Sequence, residues 1–188
     1  GIGRRQRQMC IRDSNNTDGN DDGKEVALRV FAEYWSNGSY GTAETAGVFS
    51  AHRYGDVAFF LIDDRYWRDI DDSILGDAQE AWLLDALAAS DATFKFLVSG
   101  SQWSLEGSSD SWGAYEEAQI RLREALVTHK IEGVVLLAGD IHRSELRWIA
   151  GADGGYDLPE LVSSPLANSN SSCGCLLYTS PSPRDGTK

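Results

Sequence analysis

Three short apolar runs narrow most what this chain can fold into: Val57 to Ile62 (VAFFLI), Thr93 to Val98 (TFKFLV) and Gly133 to Leu137 (GVVLL). Each is apolar almost throughout rather than alternating, and turn residues such as Gly55-Asp56 and Asp63-Asp64 bound the first. Runs of this length and kind read as strands of a parallel sheet covered on both faces. The segments between them have helical periodicity. Asp77 to Ser90 (DAQEAWLLDALAAS) is a helix with Asp77 as N-cap and Trp82, Leu83 and Leu87 as its apolar stripe. Tyr115 to His129 is a second, with Ile120, Leu122, Leu126 and Val127 toward the core. Lys24 to Trp35 is amphipathic, with Val26, Val30, Phe31 and Tyr34 near one face, and Ser144 to Ile149 is a fourth, alternating strand. The expected fold class is therefore layered α/β.

Composition sets limits on function. With 188 residues a single domain with a sizeable core is expected. A net charge of −12 argues against a nucleic-acid duplex as partner, which needs a basic face. No apolar run approaches the roughly 18–20 residues of a membrane span. Three cysteines are too few, and odd in number, for a disulfide scaffold.

The two ends read as foreign to the middle. Arg4 to Ser14 (RRQRQMCIRDS) and Cys175 to Asp185 (CLLYTSPSPRD) are each one reading frame of a tagmentation sequencing adapter, facing inward from opposite ends. Residues 1–14 and 175–188 are accordingly expected to be disordered adapter-derived tails, and 15–174 the native segment, internal to a longer protein. Six of the 17 basic and two of the 29 acidic residues lie in the tails, leaving 11 and 27, a net charge of −16. The only methionine and two of the three cysteines go with the tails, leaving Cys173.

In a parallel α/β sheet, sites gather where loops leave the carboxyl ends of strands. Those loops are DDRYWRD, GSQWS and AGDIHRSE. The last carries the strongest signal, because one buried strand delivers Asp140 and His142 onto a single turn, with Gly139 freeing the backbone there. Carboxylate oxygen with imidazole nitrogen suits iron, zinc or manganese, and the alternative is a turn with a capping Asp and a surface His.

Five segments in order, FLIDDRYWRD, ILGDAQEAWLLDALAASDATFKFLVSGSQW, SWGAYEEAQIRL, VVLLAGDIHRSEL and YDLPELVSSPL, resemble the C-terminal half of PhoD-like alkaline phosphatases of the calcineurin-like metallophosphoesterase superfamily. The resemblance implies an incomplete αββα sandwich lacking its N-terminal half. It implies a phosphomonoesterase or phosphodiesterase using metal-activated water or hydroxide, with iron and calcium as the metals and Asp140 and His142 as ligands. The family's upstream Asp-Asp-His-Asp motif is absent. The Asn that follows it falls on Asn15, a weak candidate ligand beside the equally placed Asn16. Ala118-Gln119 departs from the family's Glu-Arg. With part of the ligand set missing, little or no phosphatase activity is expected of this chain, and a non-catalytic binding domain of the same fold is the alternative. The resemblance further implies small phosphate esters or diesters as substrates and a periplasmic or extracellular location.

Arg65, matching the family's Leu-Asp-x-Arg, is a candidate phosphate clamp, against an Asp63–Arg65 or Asp63–Arg68 pair that merely holds the loop. Gln102 either lines the substrate pocket or is a structural amide. His52 at a strand edge and His129 at a helix C-terminus read as structural, as do Trp112 and Tyr115.

Overall fold

The computed structural model describes residues 17–69, 72–104 and 110–164. In chain order these form helix α1 (Lys24–Tyr34), strands β1 (Ser50–Tyr54) and β2 (Val57–Leu61), helix α2 (Asp77–Ala89), strand β3 (Phe94–Val98), a 3-10 turn at Trp112–Ala114, helix α3 (Glu116–Thr128), and strands β4 (Val134–Ala138), β5 (Glu145–Ile149) and β6 (Leu158–Val162). All six strands join one sheet in the order β1-β2-β3-β4-β6-β5. The three apolar runs lie side by side at its centre, and β2, β3, β4 and β6 are parallel. Helices α2 and α3 supply the crossovers that parallel neighbours require. The edge strands β1 and β5 are antiparallel.

Strand register sorts the side chains. Ala58, Phe60, Leu97, Val134 and Leu136 share one face and are buried against Leu83 and Leu87 of α2 and Leu122 and Leu126 of α3. Truncating one of these leucines to alanine would cost about 2–5 kcal/mol, a large part of a typical domain's stability. Acidic residues open both helices, Asp77 and Glu80 in α2, Glu116 and Glu117 in α3, where they favour the positive end of the dipole.

The opposite face lacks the cover that apolar strand runs alone suggest, as an incomplete αββα sandwich would. Val57, Phe59, Phe96, Val135 and Leu137 continue through Leu161, Leu146 and Trp148 as an apolar layer with no helix over it among the described residues. Phe94 is 51% exposed and Trp148 64%, so coverage on both faces is not realised here. Helix α1 is similarly uncovered. It buries none of its residues, and Val26, Val30 and Tyr34 are exposed rather than packed in the core.

Smaller corrections have local causes. Asp77 is the first helical residue, not the cap. The N-cap is Gly76 at φ +71, where a Cβ would come within 2.9 Å of the Trp67 Cβ. Ile120 faces outward, and Ala118 takes its place in the core of α3. Strand β1 is fixed by a two-residue turn, Gly55-Asp56, that folds Tyr54 onto Val57. Strand β6 was not evident from the sequence, because Pro159 lacks a backbone donor. The Pro is tolerated because the registered pairing with β4 begins one residue later, at Glu160.

Candidate functional site

Four loops leave the carboxyl ends of β2, β3, β4 and β6 together. Backbone bonds bind their first residues to neighbouring strands: Ile62 N–H to the Val98 carbonyl, Ser99 N–H to Leu137, and Ser163 N–H to Ala138. A Cβ on Gly100 would touch the Asp64 carboxylate at 3.2 Å, and one on Gly139 would lie 3.6 Å from the Ser164 Cβ. The site is thus built where parallel-sheet geometry directs it.

The loop after β4 is the most unusual. Asp140 at φ +70 and His142 at φ +56 are both left-handed without being glycine. The Ile141 N–H donates to the Gly139 carbonyl at 2.9 Å, spanning Asp140 as a γ-turn of the rare positive-φ kind. Such backbone costs on the order of 1–3 kcal/mol per residue and persists where its surroundings enforce it, often at functional sites. Gly139 is not the residue that enables this turn. Its φ is not positive, and a Cβ there would make only ordinary contacts. Both Asp140 and His142 are exposed, and neither side chain makes a hydrogen bond among the described residues.

The loop after β2 is locked by its two aspartates. Asp63 receives hydrogen bonds from the backbone N–H groups of Val48, Arg65 and Tyr66, while the Gln79 amide brackets its own backbone. Asp64 receives the Ser101 N–H and the Ser99 hydroxyl, and the Trp112 indole donates to that hydroxyl in turn. Asp63 makes neither the Arg65 nor the Arg68 ion pair that the sequence suggested, while Asp64 lies 3.9 Å from Arg65 Nε. Instead Asp110 accepts a bidentate pair from Arg65, with Nη2 at 2.7 Å, and a further bond from the buried Arg68 at 2.6 Å. Burial opposes ionisation of Asp110, but the two arginines outweigh it and hold its carboxyl below the usual range. Burial likewise lowers the pKa of Arg65, and Asp110, Asp64 and Asp140 together raise it above the ordinary value. The charge of Asp140 is therefore felt at Arg65.

Gln102, after β3, is buried. Its amide N–H donates to Glu145 at 3.0 Å, and its Oε1 has no partner among the described residues. Glu145 also binds Arg143 and Arg147, and these bonds together with that of Gln102 outweigh burial and lower its pKa. Asp110 was missed by sequence reasoning, since an isolated acidic residue carries no spacing signal, and Asp64 and Glu145, although within the loop segments singled out, were given no role. Asn15 lies outside the described residues. The chain that follows it does reach this end of the sheet, where Arg68 donates to the Thr17 carbonyl and Gly19 donates to the Arg68 carbonyl.

Asp140 and His142 fit a metal ion as two unengaged donors of suitable chemistry. Among the described residues no group of three His, Cys, Asp or Glu side chains converges to complete a set.

Comparison with known proteins adds the rest. A family model described as PhoD-like phosphatase matches residues 5–177. A solved structure titled "Structure of PhoD" superposes with a TM-score of 0.65 at 20% identity, covering 80% of this chain and 37% of that one. The chain therefore spans just over a third of that structure's length, and at this identity the likeness speaks to fold. No curated protein matches the chain.

Proposed function

This chain belongs to the PhoD-like phosphatase family, and on that premise we propose that it is the C-terminal part of a metal-dependent phosphoric ester hydrolase. The native segment is 15–174, flanked by adapter-derived tails at 1–14 and 175–188. The observation that carries the reading is the strained turn after β4, which holds two unengaged metal-ligating side chains at the carboxyl edge of a parallel sheet.

Asp140 and His142 would hold the metal, with Asn15 as a further ligand. Iron and calcium are the ions that the family suggests. Bound there, cations would neutralise phosphate oxygens and lower the pKa of a coordinated water that serves as nucleophile. The chain's own residues orient the substrate. Arg65, a third exposed, uses two of its five N–H donors on Asp110 and has others to offer a phosphate oxygen. Asp110 fixes the guanidinium plane, so that phosphate meets a cation already in position. Gln102, buried and bonded to Glu145, acts on the site through that carboxylate rather than by touching substrate. Substrates are small phosphate mono- or diesters, and the enzyme is periplasmic or extracellular. Among the described residues no helix is long and apolar enough to cross a membrane.

Two measurements test this. Titrating the chain with manganese or calcium should show binding that Asp140→Ala and His142→Ala each weaken at least tenfold. Hydrolysis of p-nitrophenyl phosphate should be weak in this chain and strong in a longer protein that includes the upstream residues. Robust hydrolysis by this chain, abolished by His142→Ala, would show the ligand set complete without them and overturn the partial-site reading. Metal binding indifferent to both substitutions would overturn the assignment of ligands.

A further inference from the structure

A cleft of about 440 Å³ opens beside the candidate site, between α1 and the loop after β2. One wall is apolar, formed by Ala27, Leu28 and Phe31 of α1 with Val48 opposite. Tyr66 and Arg65 lie at its inner end. The same Arg65 is held by Asp110, so the cleft ends on a guanidinium already fixed in position. Lys24 closes the floor. Its ammonium donates to the Gly19 carbonyl at 2.6 Å and sits 4.9 Å from the Tyr66 ring centroid, contacts that position its charge without cancelling it. The acidic side chains lining the cleft are Asp18, Asp21 and Asp63. Asp63 is consumed by the three backbone donors described above, and Asp18 and Asp21 each accept a nearby backbone N–H.

We infer that this cleft is the subsite for the alcohol portion of the phosphate ester, and that it selects an apolar, non-anionic group. This rests on the reading of Arg65 as a phosphate contact. A phosphate at Arg65 leaves its ester substituent room to extend along the wall of Ala27, Leu28, Phe31 and Val48. Burial of an apolar group there is favourable in proportion to the area removed from water. The lining holds three carboxylates, Asp18, Asp21 and Asp63, against two cations, Lys24 and Arg65, and this net negative charge disfavours a substituent carrying further phosphates or carboxylates, a repulsion felt within a Debye length of about 8 Å at physiological salt. The volume suits one aromatic ring system or a short alkyl chain, since ligand sites run from roughly 300 to 1,000 Å³.

The experiment compares equilibrium binding of inorganic phosphate, 1-naphthyl phosphate and adenosine triphosphate to the full 188-residue chain by calorimetry. 1-Naphthyl phosphate should bind at least tenfold more tightly than inorganic phosphate, and adenosine triphosphate no better than inorganic phosphate. Ala27→Phe, which fills the cleft from an exposed helix position, should erase the naphthyl advantage while leaving phosphate affinity unchanged. Leu28→Asn, a neutral polar change, should do the same by removing apolar wall, so the result does not depend on one variant folding. Equal affinity for naphthyl and inorganic phosphate, both lost in Arg65→Ala, would overturn the subsite and leave Arg65 as the phosphate contact. Naphthyl binding that survives both cleft variants would overturn the subsite as well. Phosphate binding untouched by Arg65→Ala would remove the underlying reading and the subsite with it.

Discussion

Asp110 carries more of the site than any residue the sequence singles out. It is the common acceptor for Arg65 and Arg68, and Arg68 is 2% exposed. Replacing it with alanine deprives a buried cation of a carboxylate, which typically costs 3–5 kcal/mol. Arg68 keeps its bond to the Thr17 carbonyl, so about 3 kcal/mol is expected for Asp110→Ala, read from urea denaturation. The pH dependence follows from the same pair. The folded pKa of Asp110 is depressed, so its contribution is present above the unfolded value near 4 and is lost as pH falls through the folded one. The wild-type midpoint should hardly change from pH 7 to 5 on this account and fall below pH 4, while Asp110→Asn should flatten that acid limb. Asp140 predicts the opposite kind of trade. Asp140→Gly removes a left-handed non-glycine residue and should stabilise the metal-free chain by about 1 kcal/mol, while metal affinity drops. A thermal melt and a metal titration on the same sample check both halves. A loss of stability would show that the turn is not strained.

At the scale of elements, the readable parts were those whose chemistry is periodic. Strands β2, β3 and β4 and helices α2 and α3 announce themselves because one buried face writes its repeat into the sequence. Strand β6 does not, since Pro159 interrupts it and its centre is the carboxylate of Glu160, fully buried on the core face. That carboxylate accepts the Trp103 N–H at 2.6 Å and the Ser104 hydroxyl, tying β6 to the loop after β3. Glu160→Ala should cost roughly 1–3 kcal/mol through the unmatched Trp103 amide alone. It should loosen the Gln102–Glu145 contact too, visible as faster amide exchange in the loop after β3. The turn bearing Asp140 and His142 was legible from residue types at a strand end. Its strain was not, because φ is set by tertiary contacts that a sequence does not list. Arg65 was legible as a cation at the site, but its partner Asp110 lies 45 residues away and only folding brings them together. Helix α1 shows the converse limit. Its amphipathic pattern is genuine, yet a pattern states that a face wants cover without supplying it, and α1 buries nothing here.

That unmet demand recurs across the whole molecule. Parallel strands are found almost only where both faces are covered, and here one face of a largely parallel sheet presents Phe59, Phe96, Val135, Leu137, Leu161 and Trp148. Contiguous apolar surface of that kind marks an interface or an aggregation liability. The matched structure is nearly three times longer than the aligned part of this chain, since the chain covers 37% of it, so there is sequence enough for a second layer. We propose that in the longer protein a second sheet lies on this face, completing the αββα sandwich. Leu161→Lys separates the two situations, because Leu161 is 43% exposed on the open face of β6. In the 188-residue chain the substitution should change stability by no more than about 0.5 kcal/mol, as surface changes do, and should reduce self-association in sedimentation. In the longer protein the same lysine would be a buried unpaired charge and should cost several kcal/mol. Equal and small effects in both would mean that the face is open to solvent in the longer protein, and would exclude a second sheet there.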